Sequence, residues 1–269
     1  MDNDDRQIGR ILSRREVLAL FGAAGITLLV GCGPQQSGSG ATAQVPTTAV
    51  APTTAAAAPT AAAAAAPTTA AAAGAAVPAC VVRPEVTEGP YYVAEDLVRS
   101  DIRSDPSTGA VKEGTPLVLT FNVAQVASGG CTALQGATVE IWHCDAAGQY
   151  SDVTDRSFNT VGQKWLRGSQ VTDANGVATF TTIYPGWYQG RAVHIHFKVH
   201  PNTSSVLTSQ LFFDDALSDQ VFTQAPYAGK GQRNTLNSND GIYKDLLLLT
   251  ATKTDQGYAA TFDIGVQTT

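Results

Sequence analysis

The 190 residues from Cys80 onward predict an all-β fold, an antiparallel β-sandwich, on three observations. Short runs alternate apolar with polar side chains, as a half-buried strand must, because successive side chains point to opposite faces. Turn-forming Gly, Asn, Asp and Pro punctuate these runs at short intervals. No long segment carries apolar residues at the spacing of a helix that buries one face. In chain order, Leu117, Leu119, Phe121 and Val123 alternate in one strand, and Val139 and Ile141 do so in the next. Thr172-Asp173-Ala174-Asn175-Gly176 forms a turn ahead of a strand over Val177–Thr182. Val193, Ile195, Phe197 and Val199 alternate in a further strand, and Gln210–Phe213, Leu246–Thr252 and Tyr258–Asp263 complete the set. Residues 216–239, rich in Gln, Asn, Gly and Pro, read as a long loop excursion with a short helix near Asp219.

The chain ahead of this domain has a different character. Residues 33–79 hold no Asp, Glu, Lys or Arg, and 21 of them are Ala, interleaved with Pro and Thr. Such a tract buries too little varied apolar surface to fold, and its prolines interrupt the helix Ala would favour, so a disordered linker is expected. Residues 1–32 carry four basic and four acidic side chains, so the formal net charge of −6 belongs to residues 80–269. An acidic domain lacks the clustered cations that nucleic-acid backbones require. Arg14-Arg15 precedes an uncharged apolar run of 15 residues, Val17–Gly31, which ends at Cys32. That run is short for a bilayer span and has the layout of a secretory signal of the twin-arginine type. Leu29-Val30-Gly31-Cys32 resembles a bacterial lipobox. The expectation is an exported protein tethered to the outer face of a membrane through a lipid on Cys32. The domains are then a signal peptide over 1–32, a linker over 33–79 and a β-sandwich over 80–269. Outside the cytoplasm a disulfide among Cys80, Cys131 and Cys144 is permitted. Cys131 with Cys144 would close a short loop into the Val139 strand; a pair that uses Cys80 is the alternative.

The segment richest in chemistry is Ile183-Tyr184-Pro185-Gly186-Trp187-Tyr188-Gln189-Gly190-Arg191-Ala192-Val193-His194-Ile195-His196-Phe197. Strand alternation puts His194 and His196 on one face, where two imidazoles can ligate one metal, with Val193, Ile195 and Phe197 on the other. Tyr188 and Arg191 lie on the approach to this strand. A second aromatic-rich segment runs from Ile141-Trp142-His143-Cys144-Asp145 through a Gly-containing loop to Tyr150. Trp142 and Trp187 read as core or pocket wall, His143 as a satisfied buried imidazole, and His200 as a solvated strand end.

With these residues in view, most of 80–265 resembles the intradiol ring-cleaving catechol dioxygenases, which include protocatechuate 3,4-dioxygenase and catechol 1,2-dioxygenase. The resemblance runs through Glu88-Gly89-Pro90-Tyr91-Tyr92, Gly136-Ala137-Thr138-Val139-Glu140-Ile141-Trp142, the loop to Tyr150, and Arg167-Gly168-Ser169-Gln170-Val171-Thr172-Asp173. It continues through the run from Pro185 to His196 and then Thr208-Ser209-Gln210-Leu211-Phe212-Phe213. It implies a ferric ion held by Tyr150, Tyr188, His194 and His196, with Tyr188 and His194 axial and Tyr150 and His196 equatorial beside a hydroxide. It further implies that Arg191 stabilises charge developing on the ring, that Gln210 orients the ring or its oxygens, and that Tyr188 accepts a substrate proton. Tyr91 and Tyr92 would line or brace the pocket. The partners implied are a catechol-type aromatic and O2, and the product is a cis,cis-muconate. Relatives with a longer insert before the His-x-His, or a helical dimerisation segment ahead of the β domain, differ from this chain, which leaves substrate and oligomeric state open.

Two rival readings use the same residues differently. His143-Cys144-Asp145 could supply the His-x-Asp part of a ferrous facial triad. A surface-tethered transthyretin-like β-sandwich could bind ligands without catalysis, because fold does not determine function.

Overall fold

The computed structural model describes residues 81–128, 130–201 and 206–267. The expected signal peptide, linker and lipid-bearing Cys32 lie outside the described residues, as does Cys80. The described chain forms two five-stranded sheets. One contains β1 (Pro116–Ala127), β2 (Gly130–Ala133), β5 (Val177–Ile183), β9 (Ala251–Thr254) and β10 (Gly257–Gln267). The other runs in the order β4 (Arg167–Val171), β3 (Thr138–Trp142), β6 (His194–His200), β7 (Leu207–Phe213) and β8 (Leu248–Leu249). Pairing is antiparallel except for β1 with β10 and β7 with β8, which run parallel. The first and last long strands thereby lie side by side.

The core sits between the sheets, where the alternation places it. Leu117, Leu119, Phe121 and Val123 are fully buried, as are Val139, Ile141, Ile195, Phe197 and Val199 from the other sheet. Phe121, Phe197 and Phe262 meet with ring centroids 5.6 to 6.3 Å apart, a cross-sheet aromatic contact that stitches β1, β6 and β10. Burying each such side chain contributes about 1.5–3 kcal/mol. The predicted turn forms at Asp173–Gly176, where Gly176 takes φ +74° and Asp173 Oδ1 accepts from the amides of Asn175 and Val177. It carries the chain from one sheet to the other.

The structure differs from the expected elements in three places. The run Leu246–Thr252 is not one strand: a 3-10 turn at Asp245–Leu247 leads into two short strands, β8 and β9. Strand β4 carries Gly168 beneath Ile102 rather than a visible apolar alternation, and β2 is mostly exposed, so neither shows a hydrophobic period. The Cys131–Cys144 pair does not form. Cys144 is a free buried thiol beneath Tyr150, and Cys131 is in a disulfide whose other half lies outside the described residues. The expected helix is present as α1 (Asp215–Phe222), capped by Asp214, whose carboxylate accepts from Leu217 N at 2.8 Å.

Candidate metal centre

Strand β6 is buried on both faces, which a surface strand of alternating character would not be. Its apolar face enters the sandwich core, while His194 and His196, 4% and 2% exposed, face outward beneath covering loops. Directly opposed residues of antiparallel strands share a face. The register therefore aligns Arg167, Trp142, His196 and Gln210 in one row across β4, β3, β6 and β7. Trp142 stacks on His196 with ring centroids 5.0 Å apart and 10° between planes, which immobilises the imidazole.

Two loops bring the tyrosines over this row. The first leaves β3, turns tightly at Asp145, whose Oδ1 accepts from Ala147 N and Gln149 N, and delivers Tyr150. The second follows β5 and delivers Tyr188. Gly186 lies where the loops cross: a Cβ there would sit 2.4 Å from the Asp145 carbonyl oxygen, so only Gly permits the approach. Lys230 Nζ donates to the carbonyls of both Ala147 and Trp187, tying one loop to the other. Arg167, 3% exposed, donates to the Ser151 carbonyl beside Tyr150 at 2.6 Å and to the Tyr91 carbonyl at 2.8 Å. Tyr91 and Tyr150 stack with centroids 4.7 Å apart.

Three of the four expected ligand atoms form a triangle. Tyr150 Oη lies 3.2 Å from both His194 Nε2 and His196 Nε2, and the two nitrogens are 3.0 Å apart. Donors each about 2.0–2.2 Å from one first-row metal ion at near right angles are spaced about this way. The protonation states agree. His194 Nδ1 meets the Ala192 carbonyl at 2.7 Å, so its proton sits there and the Nε2 lone pair faces the triangle. Burial holds both imidazoles neutral, His194 down to about 3 and His196 well below its ordinary value, each also repelled by neighbouring positive charge. Burial pushes the Tyr150 phenol far up, opposed by the charges of Arg191 and Arg167, so only a cation in place of its proton makes it a phenolate here. Neutral nitrogens and a buried phenol aimed at one point fit a metal ion.

The fourth expected ligand, Tyr188, lines the same pocket with Pro90, Tyr91, Tyr150, Arg191, His194 and His196. Its hydroxyl is 2.6 Å from that of Tyr91, which in turn donates to Asp155 Oδ2 at 2.7 Å. Because the single Tyr91 proton goes to the carboxylate, Tyr188 is the donor to Tyr91. Arg191 enters the pocket wall with its Nη2 on Gln210 Oε1 at 2.7 Å and its Nε on Asp240 Oδ2 at 3.0 Å. Gln210 is fully buried, and its amide nitrogen donates to the Thr87 carbonyl.

Other singled-out residues lie apart from this chemistry. His143 uses one ring nitrogen on the Cys144 carbonyl and the other on Thr182 Oγ1. With Asp145 occupied in its turn and by Lys112, neither supplies a facial triad. His200 is partly exposed beside Glu140. Tyr92 packs on Trp142, with Lys198 Nζ 3.4 Å above its ring. Neither Asp155 nor Asp240 is among the residues expected from the sequence, and Arg167 stands there only as part of the run Arg167–Asp173, with no role of its own. No motif of spacing marks them, since each reaches the site through a contact distant in the chain.

Residues 87–267 match a family model described as a dioxygenase. The chain is 34% identical over 154 residues to a protocatechuate 3,4-dioxygenase beta chain from Burkholderia cepacia, covering 52% of this chain and 65% of that one. It is 28% identical over 197 residues to a catechol 1,2-dioxygenase from Acinetobacter lwoffii, covering 61% and 59%. The chain thus spans less than two thirds of the length of these curated relatives. Among solved structures, an intradiol ring-cleavage dioxygenase from Tetranychus urticae superposes with a TM-score of 0.62 at 31% identity, over 70% of this chain and 95% of that one. The dioxygenase domain of a carbohydrate-binding fusion protein from Streptomyces sp. SirexAA-E gives 0.52 at 27%, over 70% and 99%.

Proposed function

We propose that this chain, which belongs to the intradiol ring-cleaving dioxygenase family, binds ferric iron and cleaves a catechol-type aromatic with O2, inserting both oxygen atoms between the hydroxyl-bearing carbons to give a cis,cis-muconate. The observation that carries this reading is the triangle of Tyr150 Oη, His194 Nε2 and His196 Nε2 in a pocket shared with Tyr188 and Arg191. Ferric iron, when bound, supplies a Lewis acid that takes both catechol oxygens and draws electron density from the ring. Tyr150, Tyr188, His194 and His196 would hold it, the two phenolates being hard anionic donors suited to a trivalent ion.

The remaining chemistry belongs to the side chains. Tyr188 has a place for its oxygen as a neutral phenol, donating to Tyr91, so a proton released by the substrate can be held at Tyr188 Oη. Asp155 keeps that arrangement oriented by accepting from Tyr91. Burial raises the Asp155 carboxyl pKa, but hydrogen bonds from Tyr91 and Ser157 more than offset this and leave it below its ordinary value, so it stays an acceptor. Arg191 is a preorganised positive charge in the pocket wall, suited to stabilising negative charge that develops on the substrate during the reaction, the arrangement that lowers a barrier most when water is excluded. Gln210 acts through Arg191, because both ends of its amide are engaged away from the pocket.

Export through the signal-like N-terminus and tethering at Cys32 would place this activity outside the cytoplasm. The test is iron analysis, oxygen uptake and product identification for the full chain with catechol, hydroxyquinol and protocatechuate. Bound iron, a visible tyrosinate-to-iron absorbance and a muconate-type product are expected. Protein without iron and without oxygen uptake would instead support a non-catalytic binding module.

A further inference from the structure

The excursion after β7 does more than connect strands. Helix α1 is pinned by Arg233, which reaches Asp215 and Asp219, and Asn237 donates to the Phe213 carbonyl. These contacts deliver Asp240 to the back of the pocket wall. There Asp240 Oδ2 accepts from Arg191 Nε at 3.0 Å and from Ala192 N at 2.7 Å, while Oδ1 accepts from Ile242 N at 2.8 Å. The Arg191 and Asp240 side chains are 9% and 1% exposed. One carboxylate oxygen thus grips both the guanidinium and the next backbone amide, two residues before His194. The guanidinium is thereby held in a set orientation to the strand that carries the imidazoles. Gln210 Oε1 accepts from Nη2 of the same guanidinium. A buried ion pair adds little net stability, because desolvation offsets the attraction, so orientation is what this pair has to contribute.

We infer that Asp240 is a positioning residue that sets the pose of Arg191 toward the pocket and so governs the chemical step without touching the substrate. The inference rests on the ring-cleavage reading above. In the full-length protein, Asp240→Asn should keep the iron content and its visible absorbance and leave KM within about threefold, while kcat falls about 10- to 100-fold, as expected when a catalytic charge is misplaced. A double-mutant cycle with Arg191→Met separates positioning from a structural role. If Asp240 acts through Arg191, Asp240→Asn causes no further loss of kcat in the Arg191→Met background. Losses that multiply, or an Asp240→Asn enzyme with wild-type kcat, overturn the inference while leaving ring cleavage intact. Absence of oxygen uptake by the wild-type protein overturns both. Should Asp240→Asn not fold, Asp240→Glu keeps the charge, shifts it by one methylene and is judged by the same cycle.

Discussion

His194 and His196 point the same way because a strand repeats every two residues, and that much is legible in the sequence. What the pattern did not contain is how each ring is held. His194 is oriented by a carbonyl two residues back, and His196 by the stacked indole of Trp142 on the next strand. Tyr150→Phe or His196→Ala should abolish iron binding, whereas Arg191→Ala should retain iron and lose about 10²- to 10³-fold in kcat; metal content and oxygen uptake of the purified variants decide this. His143 makes a separate prediction about stability. Burial lowers its pKa from 6.5 to about 4, so below pH 6.5 the unfolded chain binds a proton that the folded chain does not. Its contribution is therefore complete above pH 6.5 and is lost as pH falls toward 4, with roughly 3 kcal/mol at stake. Urea unfolding of wild type and His143→Gln across this range measures it; the wild-type curve should show the steeper pH dependence.

At the scale of elements, β6 is the hinge between core and chemistry. Its apolar alternation was readable, but burial of its polar face arises from loops that fold over it from elsewhere in the chain. Those loops are held by cations on main-chain carbonyls: Arg167 beside Tyr150, and Lys230 across to the Tyr188 loop. Cation-to-carbonyl contacts leave no periodic trace, which is why the role of Arg167 is not readable from the run Arg167–Asp173. Gly148 shows how tightly the first loop is built. It has φ +78°, and a Cβ there would lie 1.9 Å from Lys230 Nζ and 2.2 Å from the Trp187 carbonyl oxygen. Gly148→Ala should cost about 1–3 kcal/mol through backbone strain and weaken iron retention; chemical denaturation and metal content of the folded fraction test both.

At the scale of the whole molecule, the sandwich core and the candidate metal pocket lie on opposite faces of the same sheet, so stability and chemistry can be perturbed separately. Phe121→Ala should remove about 3–5 kcal/mol yet leave the kcat of the remaining folded protein within a few-fold, as read by thermal unfolding alongside oxygen uptake. On the proposed twin-arginine export, replacing Arg14 and Arg15 with Lys should leave precursor in the cytoplasm on fractionation; undiminished export would remove that reading. Sequence alone determined the all-β class, the strands of the core and the residue types of the proposed metal set, because strand period and motif order are local properties of the chain. Tertiary structure decided the free state of Cys144, the division of Leu246–Thr252 into two strands and the joining of Asp155, Arg167 and Asp240 to the site. Those depend on which distant segments meet, and hydrogen bonds from side chains to remote carbonyls, amides and carboxylates follow no spacing along the chain.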